Sequence, residues 1–257
     1  MAKNTAPKAP ENAETGSARG TGPRQRRSVR REAAVNAAFQ LAEREGPAGL
    51  TMRKLAQELD VDVSILYRLF RDKDALVLAL CERTIEIELD EIGDVPEEET
   101  WQDTLRRIAD ITWAYQNRFP AITLLSFART TGGPAEQRMV ELLLSTFERA
   151  GLPPTQTVLF YRTFIDTALG LCAHSASLSS LAPEDREKDD SAWTRVYSHL
   201  SERHYPATVR HIDDLTTVTQ KAIYTAAVEA ILSAAEHAVT EHLETERTTR
   251  SEGTDKA

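Results

Sequence analysis

Apolar residues recur every three to four positions along most of this chain and nowhere alternate one by one. The elements they predict are therefore helices, not strands. From Ser28 the stripe Ala34, Val35, Ala38, Phe39 and Leu41 runs to a stop at Gly46-Pro47. Thr51 can cap a second helix through Leu59, and a short turn at Asp60-Val61 leads to a third from about Asp62 to Phe70. Asp72 caps a longer helix to about Ile92 that carries Leu76, Leu80, Ile87 and Leu89. Thr100 to Asp103 resembles a capping sequence for a helix bearing Leu105, Ile108, Ile111 and Tyr115, which ends at Asn117 to Pro120. Pro134 opens another, with Met139, Leu142, Leu143 and Phe147, up to Gly151. Residues 155–179 are apolar almost all round, which predicts a helix buried on several sides. The charged stretch 182–191 reads as an exposed loop or short helix, and a polar helix follows around Trp193 to His204. Thr217 with Gln220 makes a capping-box pair for a last helix to about Leu243. The predicted fold class is all-α: three short helices around a small core at 24–72, then a larger helical domain at 73–250. Residues 1–23 hold no Val, Ile, Leu or aromatic residue and are expected to be a disordered tail, because nothing there offsets the entropy of ordering.

Charge divides the chain in the same place. Of 257 residues, 31 are Lys or Arg and 40 are Asp or Glu, a net of -9. Residues 1–80 nevertheless hold 14 basic against 10 acidic side chains, and the rest 17 against 30. Arg19, Arg24, Arg26, Arg27, Arg30 and Arg31 follow one another with no acid between them. A basic arm on an acidic body suits a polyanion-binding end, although a solvated tail has the same composition. The longest apolar run, Ala75 to Cys81, is seven residues, whereas a membrane-spanning helix needs roughly 18 or more. With no apolar stretch for a secretory signal in the first thirty residues, no membrane is expected and the cytoplasm is the expected compartment. Cys81 and Cys172 form no ligand spacing and are expected to be small buried apolar residues. His204 with His211, and His237 with His242, do not have a metal spacing either. No GxSxG, HExxH, Walker or GxGxxG motif occurs, so neither an enzyme nor a cofactor is expected.

The segment Leu50 to Lys73 is more specific. Ala56 in its first helix, Val61 in the turn and Ile65 or Leu66 facing inward match helix-turn-helix spacing, a pattern that a plain helical hairpin can share. Ser64, Tyr67, Arg68 and Lys73 then face outward, where a duplex can meet them. The run GLTMRKLAQELDVDVSILYRLFRDKDALVLAL resembles the DNA-binding domain of the tetracycline-repressor (TetR) family nearly end to end, including the Leu66-Tyr67 pair and the Lys73 turn into the fourth helix. Glu99-Thr100-Trp101-Gln102-Asp103 and the later helix layout are similar to the tetracycline repressors' own subgroup, so the resemblance spans about residues 24–243. Asp60 stands where family members usually place Gly, and Asp tolerates a left-handed backbone better than most residues.

The resemblance implies a transcriptional regulator, most often a repressor, that binds double-stranded palindromic operator DNA as a homodimer and is released by a small-molecule effector. It implies phosphate contacts from Thr51, Tyr67 and Lys73 and base contacts from Arg53, Val63, Ser64, Ile65 and Arg68. The arm with Arg24, Arg26, Arg27 and Arg30 is implied to track phosphates or enter the minor groove. Arg68 can fork onto a guanine, and a phosphate contact or an ion pair with Asp72 is equally open to it. Val63 and Ile65 can meet thymine methyls or belong to the hairpin core.

In the resembled family the long helix after residue 155 and the last helix build a four-helix dimer interface, and the preceding helices enclose the effector. Ala222, Ala226, Ala227, Ala230, Ala234, Ala235 and Ala238 suit close helix approach, whether to a second copy or within the monomer. Candidate pocket residues are Trp113, Phe119, Phe127, Met139, Leu143, Phe147, Tyr161, Phe164, Asp166 and His174, most of which a bundle core also needs. Asp166 has a plain partner in Arg162 four residues earlier; the alternative is that Asp166 or His174 meets a polar effector group. Apolar Leu89 and Ile108 stand where tetracycline repressors place polar drug contacts, so the expected effector is not tetracycline and is unknown.

Overall fold

A computed structural model describes the backbone of residues 23–254 and the side chains of residues 30–245. Helices account for all of its regular structure. Residues 1–22 of the expected 1–23 tail lie outside the described residues, and Pro23 already opens α1 (Pro23–Glu45). The helix starts ahead of its apolar stripe because Pro at the first position and the Gln and Arg that follow suit a helix without needing a core to cover them.

Three short-range caps then punctuate the chain. Thr51 accepts from Lys54 N at 3.2 Å to start α2 (Met52–Glu58), Asp62 accepts from Ser64 N at 2.8 Å to start α3 (Val63–Leu69), and Asp72 accepts from Ala75 N at 2.8 Å to start α4 (Lys73–Ile92). Asp60 takes the left-handed conformation (φ 49°) between α2 and α3, and Val61 N returns to Ala56 O at 3.0 Å. Leu50, Leu55, Ala56, Leu66 and Phe70 interlock with Ala34, Ala38 and Leu41 of α1 and with Leu76, Val77 and Leu80 of α4 in a first core.

A second core begins where α4 ends. Ile92 joins Leu105 and Ile108 of α5 (Trp101–Arg118), Leu143 and Phe147 of α7 (Pro134–Arg149), Phe164 and Cys172 of α8 (Pro154–Ser179), and Tyr224 and Leu232 of α12 (Gln220–Thr254). Helix α4 thus serves both cores. The Tyr224 hydroxyl donates to Ala109 O at 2.8 Å, and Arg106 grips Glu229 through two bonds at 2.7 and 2.9 Å, fixing α12 on α5. Cys81 and Cys172 are buried and unbridged, and burial pushes their thiols up to about 11 and about 12.

Several elements differ from the sequence reading. A short helix, α6 (Pro120–Ser126), follows α5 directly, where Asn117 to Pro120 reads as a stop. Its first turn is capped by Glu43 of α1, whose carboxylate accepts from Ile122 N at 2.9 Å. After α9 (Pro183–Ala192), a single π-helical turn, Trp193–Tyr197, stacks the Trp193 and Tyr197 rings 4.7 Å apart in place of the polar helix to His204. Two further short helices follow, α10 (Pro206–Arg210) and α11 (Ile212–Thr217). Val218 is extended, so Thr219 rather than Thr217 caps α12, accepting from Ala222 N at 3.1 Å. Helix α8 is not enclosed on all sides: Val158 and Leu159 remain 53% and 61% exposed.

Candidate nucleic-acid interface and ligand cavity

The inward side of α2 and α3 is consumed by the first core, so the chemistry of this end lies in what remains outside. Thr51, Arg53, Ser64, Arg68 and Lys73 are exposed, and Tyr67 is 52% exposed despite its large ring. Val63 and Ile65 are half-buried, with Val63 packed against the first core. Asp72 pairs with Arg71 at 2.8 Å as well as capping α4, and hydrogen bonds from the Ser64 side chain and N–H hold the Asp62 carboxyl below the usual range, with a smaller electrostatic contribution from Arg68. Arg30 is exposed. Arg31 is tied inward instead: its guanidinium donates to Leu69 O at 2.9 Å and covers the Phe70 ring at 4.5 Å. The side chains of Arg24, Arg26 and Arg27 lie outside the described residues, while their backbone continues α1.

At the other end, α4, α5, α7 and α8 surround a cavity of about 100 Å³. Its wall is mainly apolar, with Ile85, Ile108, Val140, Ile165 and Ala168 beside five of the expected pocket residues: Phe127, Met139, Leu143, Tyr161 and Phe164. The other five lie elsewhere. Phe147 fills the second core between Trp101 and Phe164, Trp113 packs on Tyr224 at 4.7 Å, and Phe119 meets Phe39 edge-on at 4.9 Å beneath α1. Asp166 and His174 are exposed on the open side of α8, and Asp166 is held by Arg162 at 2.9 Å. Their helical phase puts them there, since Phe164, Ala168 and Cys172 occupy the buried face of the same helix.

The polar group of the cavity is one that the sequence reading missed. Glu88 of α4 is only 4% exposed, and its carboxylate accepts from Gln116 Nε2 at 2.7 Å and from Thr112 Oγ1 at 3.3 Å, both on α5. Burial pushes it up to about 7, outweighing the two hydrogen bonds. Thr123 of α6 places its hydroxyl 2.8 Å from Gln116 Oε1, so a buried polar chain runs from the cavity through α5 to α6. A signal existed: Thr112 and Gln116 continue the inward stripe of Leu105, Ile108 and Ala109, and polar residues in an apolar phase need partners. At the rim Arg129 points to Asp74 at 2.7 Å, and Glu136 accepts from Gly132 N at 2.6 Å. Among the described residues no group of three or more His, Cys, Asp and Glu side chains could hold a metal ion, and no helix is long and apolar enough to cross a membrane.

Comparison with known proteins places both ends in one context. Residues 34–80 match the model of bacterial regulatory proteins of the tetR family, and residues 95–245 match that of the tetracyclin repressor-like C-terminal domain. A curated relative, the HTH-type transcriptional repressor DrrR1 of Streptomyces coeruleorubidus, is 32% identical over 127 residues, which is 48% of this chain and 45% of that protein. The matched stretch thus spans under half of that relative's length. Apo ActR from Streptomyces coelicolor superposes with a TM-score of 0.72 at 16% identity, covering 82% of this chain and 97% of its own. ActR in complex with actinorhodin gives 0.72 at 17%, covering 81% and 97%. At such identities the structural likeness concerns the fold.

Proposed function

The chain belongs to the TetR family of bacterial regulatory proteins, and on that premise we propose that it is a homodimeric repressor that holds a two-fold operator with paired α3 helices and releases it when a small molecule enters the α4–α8 cavity. Members of this family are transcriptional regulators, not enzymes. The observation that carries the reading is the outward row of Thr51, Arg53, Ser64, Tyr67, Arg68 and Lys73 on a helix pair whose other side is already sunk in a core. In it, Thr51, Tyr67 and Lys73 hold phosphates, and Arg53, Ser64 and Arg68 reach base edges with Val63 and Ile65 beside them. Arg24, Arg26, Arg27 and Arg30 extend the same basic surface along the DNA.

One helix-turn-helix reads one half-site, so a symmetric operator needs two copies. The open face of α8 (Leu159, Thr163, Asp166, Gly170 and His174) and the exposed Ala222, Ala226, Ala230 and Ala234 of α12 support their joining there. Asp166 and His174 belong to that face in this reading. Phe127, Met139, Leu143, Tyr161 and Phe164 line the ligand site. The complex of ActR with actinorhodin supports ligand binding by a bundle of this fold. Two connections support coupling of the ends: the polar chain from Glu88 to Thr123, and Glu43 of α1 capping α6.

Selection from random duplexes, followed by footprinting, tests this. We expect a symmetric footprint, and affinity falling by roughly 10³- to 10⁵-fold between 50 and 200 mM salt if about 6 to 10 phosphates are neutralised. Lys73→Ala should weaken all duplexes alike, whereas Arg68→Ala should relax preference at one position by about 1–3 kcal/mol. Absence of any duplex preference at low ionic strength refutes the reading.

A further inference from the structure

Resting on the reading of the α4–α8 cavity as the effector site, we propose that the effector is a cation, a compact apolar body bearing a protonated amine that pairs with the Glu88 carboxylate. The wall supplies everything such a molecule needs except the positive charge. Ile108, Met139, Leu143 and Phe164 offer apolar surface, and Glu88 is the acid set among them, almost fully removed from water. Its two donors, Gln116 Nε2 and Thr112 Oγ1, are neutral. No Lys or Arg forms an ion pair with it among the described residues. Dipoles orient a buried carboxylate without cancelling its charge, so the site is electrostatically incomplete.

The other charged groups of the wall point the same way. Arg129 is already turned to Asp74, and Glu136 adds a second acid at the rim. An anionic ligand therefore meets like charge, a neutral one leaves Glu88 to its proton, and an ammonium pairs with the ionised carboxylate in a setting where the attraction is weakly screened. Without ligand, burial pushes this carboxyl up to about 7, so an arriving cation takes the place of a proton. At about 100 Å³, against the roughly 150 Å³ that takes up a benzene ring, the cavity admits only a small body, and a ring with a short arm requires its wall to give.

Benzylammonium, benzyl alcohol and benzoate share that size and differ in charge. Titrating each into the full-length wild-type protein and Glu88→Gln at pH 8, with binding followed by saturation-transfer NMR and duplex binding measured in parallel, gives the test. In the wild type benzylammonium should bind at least about tenfold more tightly than benzyl alcohol, a difference of about 1.4 kcal/mol, with benzoate weakest. In Glu88→Gln the ammonium should fall to the level of the alcohol. Benzoate binding as tightly as benzylammonium, or an ammonium preference that survives Glu88→Gln, overturns the proposal. The order of the three probes on the wild type stands as a test even if the variant fails to fold. If the charge order is absent while a symmetric duplex is still bound, the effector class alone is wrong; if no duplex is preferred, the regulator reading falls with it.

Discussion

A carboxylic acid that leaves water favours its proton, and Glu88 has left it almost entirely. Around it stand Thr112 and Gln116 of α5, Glu91 on its own helix, and Cys172 and Tyr224 from α8 and α12, whose thiol and phenol burial keeps neutral in this range. Its native value of about 7 exceeds the ordinary 4.5. The protonated side chain thus contributes stability in full below about pH 4.5, and that contribution is lost as pH rises through 7. The shift corresponds to about 3 kcal/mol. Urea midpoints measured from pH 5 to pH 8 should fall in the wild type and flatten in Glu88→Gln; parallel curves would disprove the assignment. Glu88 was hard to see in the sequence because it sits between Ile87 and Leu89, and only its neighbours across α5 reveal that its phase is inward. Asp60 was easier: it stands where the resembled family usually places Gly, which asks for a left-handed residue, and Asp60 takes that conformation with φ 49°.

Most helix ends governed by neighbours a few residues away were legible, with Thr217 read in place of Thr219 as the miss, and those governed from afar were not. Thr51, Asp72 and Thr100 each cap the helix that immediately follows. The start of α6 depends on Glu43, 79 residues before Ile122, and no local pattern announces it. Among candidate site residues, the exposed side of α3 followed directly from helical spacing. Sorting pocket from core aromatics did not, because Phe147 and Phe164 lie on equally apolar stripes and only packing separates them. Helix α8 carries a further lesson in Gly170, mid-helix and facing outward, where an added Cβ meets nothing within 4 Å. In a lone chain Gly there lowers helix stability by roughly 0.5–1 kcal/mol relative to Ala, with no packing reason to keep it. In the proposed homodimer, a second copy pressed against this face supplies the reason. Gly170→Trp should therefore shift sedimentation from dimer to monomer and weaken operator binding while leaving helix content unchanged. A dimer as tight as the wild type would remove α8 from the interface.

Over the whole molecule, charge and packing divide the chain at different places. Basic residues gather ahead of residue 80 and acids after it, a division that favours the proposed approach to DNA by the α3 end rather than by the bundle. Packing does not respect that line, because Leu76, Val77 and Leu80 of α4 complete the first core while Ile92 of the same helix enters the second. A fragment of residues 24–72 should accordingly be largely unfolded by circular dichroism, and one of residues 24–95 should regain cooperative helix; a folded shorter fragment would contradict the shared role of α4. For anyone exchanging sensors between regulators, the seam cannot be laid in a loop, since this shaft has no joint between its two loads. Each residue inserted or deleted along it swings the reading head by about 100° and slides it by about 1.5 Å, so the length of α4 is itself an inherited measurement.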